Sequence, residues 1–186
     1  MHDLSFIWLP ILLSSVAVFL VSSILHMFTP WHKGDFAQVP DEARVMDALR
    51  PFNIPPGDYM VPRPGSMDDM RSQAHLDKLN RGPVWIMTVF PNGMTGIGRN
   101  LGLWFAYVVL VNGFAACVAG SALPSDAGNH AHFHYVGIIA FSAYSLALIP
   151  LSIWFRRGWG ATIRGVIDGL IFGVVTGAIF AWMWPH

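Results

Sequence analysis

Four long apolar runs decide what this chain can fold into. They are Leu4–Thr29, Leu101–Leu123, Phe133–Phe155 and Ala161–Trp184. Each supplies the roughly 20 residues that a helix needs to cross about 30 Å of hydrocarbon. In lipid only helices and closed barrels satisfy every backbone N–H and C=O, and runs of this length are helical. The expectation is an all-α integral membrane protein, with four transmembrane helices in a bundle forming one membrane domain over residues 1–186. Between the first and second spans lies an extramembrane segment, residues 30–100, read as short helices around a Pro-rich extended stretch. Composition agrees, because only 12% of the residues are charged, against about 25% in soluble domains. The first run is not read as a signal peptide, since "MHD" gives no basic n-region and the apolar stretch is too long.

Charge asymmetry sets the expected orientation. Lys33, Arg44, Arg50, Arg63, Arg71, Lys78, Arg81 and Arg99 lie between spans one and two, and Arg156, Arg157 and Arg164 at the link to span four. Together they are all 11 Lys and Arg of the chain. By the positive-inside rule, both termini lie outside a bacterial inner membrane and residues 30–100 are cytoplasmic. Tryptophans near the span ends fit an interfacial belt, and Trp31, His32 and Lys33 read as an anchor after span one. A net charge of zero gives no general attraction to nucleic acid. The single Cys117 excludes an intrachain disulfide and a Cys-only metal site.

Within residues 30–100, "PDEARVMDALRP" reads as a helix capped by Asp41 and ended by Pro51. The proline-rich "PFNIPPGDYMVPRPG" should be extended. "SMDDMRSQAHLDKLNRGP" reads as a second helix, with Ser66 and Asp69 as a capping box. "VWIMTVF" is too short to span, and is expected at the interface or folded back on the bundle. So few large apolar side chains make an independent core hard to build, so the segment is read as packed on the membrane face or as a docking surface. "GIGRNLG" has the wrong glycine spacing and precedes an apolar helix instead of a βαβ unit, so it is no nucleotide loop.

Inside span four, Gly165, Gly169, Gly173 and Gly177 recur every four residues and share one helix face. Such a glycine zipper lets another backbone approach closely. The partner is expected in span two, where Gly113, Ala116 and Gly120 form a small-residue face, in a second copy, or in another subunit. Asp168 sits about two turns into that span, where an ionisable group costs roughly 3 kcal/mol unless paired or functional. Arg164, four residues earlier, is its expected ion-pair partner, with a proton relay or substrate contact as the other role. Asn112, near the middle of span two, reads as interhelical glue.

"GNHAHFHYVG" places His130, His132 and His134 at alternate positions before span three. With His2 and His186, five of the eight histidines fall at the outer level. Neutral imidazole suits Zn or Cu, and alternate residues converge in an extended chain, whereas in a helix only His130 and His134 do so. No CxxC or HExxH fixes the spacing, and histidine also serves as plain interfacial polarity. His26 and His32, separated by six residues and a proline, read as interfacial. A di-iron site would need histidine boxes on one side, and a bis-histidine haem two histidines at matching depth; the expected topology supplies neither.

The leading expectation is a non-catalytic accessory or scaffolding subunit of a larger membrane complex, surrounded by lipid and packing on other membrane subunits or on itself through the fourth helix. The alternative is a small membrane metal-binding protein or metalloenzyme using the outer histidines. A weaker one is an oligomeric proton or solute transporter using Asp168.

Overall fold

The computed structural model describes residues 7–93, 96–124 and 126–184. Contacts divide the chain into two units, one comprising residues 1–37 and 96–186, the other residues 38–95. In the first, α1 (Trp8–Ser23) runs into a π-helical turn, Ile24–Phe28, and α5 (Ile97–Ala122) follows the second unit. α6 (Asn129–Ser145) continues through a 3₁₀ turn into α7 (Ile149–Trp154), and α8 (Trp159–Met183) ends the described chain. Among the described residues four helical stretches are long and apolar enough to cross a membrane: Trp8–Phe28, Ile97–Ala122, Asn129–Trp154 and Trp159–Met183. This fits a multi-pass membrane protein. Leu12, Leu20, Leu110, Ile138, Leu170 and Val174 face outward, as side chains in contact with acyl chains do.

The helices meet over small and polar groups. Ala115, Ala116 and Ala119 of α5 pack with Val136 and Phe180, and Val108 and Val111 with Val18, Ala140 and Phe172. Asn112 is fully buried; its Nδ2 donates to Ser15 Oγ at 3.0 Å, and Thr176 Oγ1 donates to its Oδ1 at 3.3 Å. It thus ties α1, α5 and α8 together. The glycine row of α8 meets α6, not the small-residue face of α5. A Cβ at Gly173 would lie 2.7 Å from Gly137 O, and one at Gly177 2.5 Å from Phe133 O. Backbone fills that space, so any larger residue must part the two helices. Of the partners expected for the row, span two, a second copy or another subunit, none is the one seated on it: α6 covers Gly173 and Gly177.

The second unit holds α2 (Glu42–Leu49), β1 (Gly57–Val61), α3 (Met67–Met70), α4 (Gln73–Arg81) and β2 (Trp85–Val89). Asp41 caps α2 as expected, its carboxylate accepting from Arg44 N–H at 3.4 Å. The single helix expected from Ser66 onward is two, because Ser72 starts afresh: its Oγ accepts from His75 N–H at 3.1 Å. Serine competes well for backbone groups in this way. "VWIMTVF" forms β2, antiparallel to β1 with Tyr59 opposite Met87. Of the unit's described residues only His75 is buried.

Candidate functional site

Span one does not end as a plain helix. Pro30 disfavours the helical conformation for Thr29, and Thr29 is extended, at φ −107° and ψ 156°. Its Oγ1 donates to Leu25 O at 2.6 Å and accepts from Trp31 N–H at 3.3 Å, closing the helix end and starting the return. Two further turns, Lys33 N–H to Pro30 O and Asp35 N–H to His32 O, fold the chain back. Hence His32 stacks on His26, with ring centroids 4.0 Å apart and planes 15° from parallel. The separation by six residues and a proline, which argued against an i, i+4 pair, is what creates the stack. His26 rides on the π-turn, an irregularity that often marks functional sites.

Both rings face Asp168 of α8, which is only 3% exposed. One donor atom from each of His26, His32 and Asp168 lies within 4.8 Å of the other two. Each residue's remaining polar atom is engaged. His26 Nδ1–H donates to Ser22 O at 2.9 Å, and His32 Nδ1–H to Asp35 Oδ2 at 2.7 Å. Trp31 Nε1–H donates to Asp168 Oδ1 at 2.9 Å. What remains is His26 Nε2, His32 Nε2 and Asp168 Oδ2. His32 Nε2 lies 2.9 Å from Asp168 Oδ2, yet it is buried and makes no hydrogen bond. The pair has the distance of an ionic contact without hydrogen-bond alignment.

Arg164 does not pair with Asp168. Its Nε donates to Asp35 Oδ1 at 2.7 Å and its Nη2 lies 2.5 Å from the same oxygen. The cause is direction. Helical side chains lean toward the helix N-terminus, and Arg164 reaches back over Gly160, where a Cβ would sit 3.6 Å from Nη1. Asp35 is thus shared by Arg164 and His32. Burial pushes its carboxyl up, but hydrogen bonds from His32 and Arg164 outweigh that and hold it below the usual aspartate range. The ionised pairing is therefore complete above the ordinary aspartate pKa and lost only as pH falls through the lowered value. Trp31 and His32, expected as interface anchors, both contact Asp168. Lys33 is exposed.

The histidines expected at the outer level separate. Residues 129–145 are helical, so alternate positions diverge. His130 and His134 meet with their Nε2 atoms 3.0 Å apart. His132 turns inward, 2% exposed, with Nδ1–H donating to Gly128 O at 3.1 Å and its ring 4.3 Å from that of Trp184. His2 and His186 lie outside the described residues. Among the described residues, His26, His32 and Asp168 alone form a group of three with metal-ligand spacing.

Sequence reading named Asp168 and His32 but neither His26 nor Asp35 as site residues. The available signal was "WHKGDF", a histidine and a carboxylate three residues apart beside a helix-breaking proline. Comparison with family models, with curated proteins and with solved structures finds no match for this chain.

Proposed function

We propose that this chain is a small membrane metalloprotein that holds one divalent first-row ion between His26, His32 and Asp168. The observation that carries the reading is the convergence of three donor atoms on residues whose other polar atoms are each hydrogen-bonded. That is how outer-shell partners fix the tautomer and orientation of metal ligands. Two imidazoles and a carboxylate suit Zn²⁺ or Fe²⁺, and three protein ligands leave coordination positions open, as catalytic centres do. An ion held so acts as a Lewis acid or activates a bound water. Charge balance supports the same reading. Arg164 answers Asp35, leaving the buried Asp168 carboxylate with the neutral donor Trp31 and with His32, which compensates it only when the imidazole is protonated. A buried carboxylate without a compensating cation is costly.

With the basic residues in the cytoplasm, the centre belongs to the cytoplasmic edge of a bacterial inner membrane. Labelling from outside should modify Asp126→Cys but not Gln73→Cys, both in a Cys117→Ser background; the reverse would invert the sidedness. The ion is tested by elemental analysis of protein extracted in mild detergent. We expect one zinc or iron per chain, absent from His32→Ala and Asp168→Asn and kept by His130→Ala. Full metal in Asp168→Asn would sink the proposal.

An accessory-subunit role is favoured by a separate observation. The 38–95 unit buries only His75 among its described residues and exposes Phe52 at 72% and Phe90 at 71%. A unit without its own apolar core gains from a partner protein. Native mass spectrometry showing the wild-type chain alone would remove this role and leave the metal centre standing.

A further inference from the structure

One wall of the proposed centre is also the wall of a cavity. A space of about 340 Å³ opens between the end of span one and the start of α5, lined by Ser23, His26, Met27, Asn100, Leu101 and Trp104 among others. It is within the range of small-ligand sites. Met27, Leu101 and Trp104 make it largely apolar. Trp104 is fixed there because its Nε1–H donates to Ser22 Oγ at 2.8 Å, which also holds α5 against span one. Its polar edge is short: among the described residues the Asn100 amide makes no side-chain hydrogen bond, and Ser23 Oγ donates to Phe19 O, keeping only its lone pairs. None of its lining residues is an arginine, lysine, aspartate or glutamate.

These features select a ligand. A soluble polar substrate would leave its groups facing Met27, Leu101 and Trp104 unpaired, which is costly. A neutral oxygen head suits Asn100 N–H, and an apolar tail suits the remaining wall. The cavity lies at the ends of two spans, where lipid head groups and acyl chains meet. Resting on the metal reading above, we propose that this cavity binds a bilayer-dissolved amphiphile with a neutral carbonyl or hydroxyl head. His26, shared by cavity and centre, brings that oxygen to an open coordination position of the ion.

The test uses the full-length protein in detergent, with cobalt(II) replacing the native ion as an optical reporter. 1-Decanol and a decyl-tailed benzoquinone are the two head-group probes; decane is the control. We expect saturable changes in the cobalt visible bands with at least one neutral-headed probe, and which one responds distinguishes a hydroxyl-headed from a carbonyl-headed source. Decane should cause none. Leu101→Trp, which fills the cavity, should abolish the change without altering cobalt content. Asn100→Ala should weaken it at least about fivefold, as loss of one hydrogen bond of roughly 1 kcal/mol implies. Cobalt bound with no saturable response to either neutral probe, or with decane giving the same response, overturns the amphiphile proposal and leaves the metal centre standing. No cobalt bound removes the centre, and this proposal with it.

Discussion

The two histidine groups of the membrane unit had opposite prospects in the sequence and met opposite fates in the fold. His130, His132 and His134 crowd into five residues, yet a helix sends the middle one inward and the other two outward. His26 and His32 are separated by a proline, and Asp168 lies far along the chain, yet their donor atoms gather within 4.8 Å. Density of ligands along a chain therefore says little without the backbone that carries them. A chain reversal brings side chains together more effectively than a regular helix, which fixes neighbours at four residues and parts them at two.

The largest expected effects fall on the ligands themselves. Asp168→Ala should lower zinc affinity by more than the roughly 100-fold that bounds outer-shell effects, read by competition with a chromophoric chelator. An unchanged affinity would mean that the three atoms converge for packing alone. One step out, Asp35→Asn keeps the shape of the side chain but removes its charge and one acceptor oxygen facing His32 and Arg164. A loss of about 10–100-fold is expected by the same titration, with Trp31→Phe at the lower end because Trp31 is a single neutral donor to Asp168. Equal affinity in Asp35→Asn would make the Asp35–Arg164 pair a purely mechanical tie.

The sequence made some of this legible for reasons that are physical. Span length and apolarity are properties of composition, so the four helices could be read directly, and Asn112 stood out because a polar group in mid-span needs a partner. The glycine row fixed which face of α8 is flat, but flatness does not say who approaches: α6 does, over Gly137. Arg164 and Asp168 had the spacing of an ion pair, yet spacing ignores the lean of helical side chains, which carried Arg164 back toward Asp35. β2 escaped notice because an apolar run of seven residues is compatible with strand, interface or core, and only its pairing with β1 decides among them. His26 escaped because a π-turn has no sequence signature of its own.

At the other end of the membrane unit the expected effects are smaller and of another kind. His132→Ala should leave metal content unchanged while destabilising the protein by roughly 1–3 kcal/mol, through the cavity left against Trp184. A lowered melting temperature in detergent reads it, and His132→Phe should recover most of the loss. Bound metal falling with His132→Ala would show that the two ends are coupled.

The smallest effect belongs to the residues that look most like ligands. His130 and His134 are exposed neighbours whose contact joins two weak, solvated groups, so replacing both by alanine should shift stability by no more than about 0.5 kcal/mol. Metal content should not move, because a pair of imidazoles lacks the third protein ligand that a stable zinc site uses. The double variant is decisive because its expected outcome is nothing. If it strips the metal, the missing ligands must come from outside the described residues, where His2 and His186 lie. The gathering of His26, His32 and Asp168 would then be reduced to the fastening of span one onto α8.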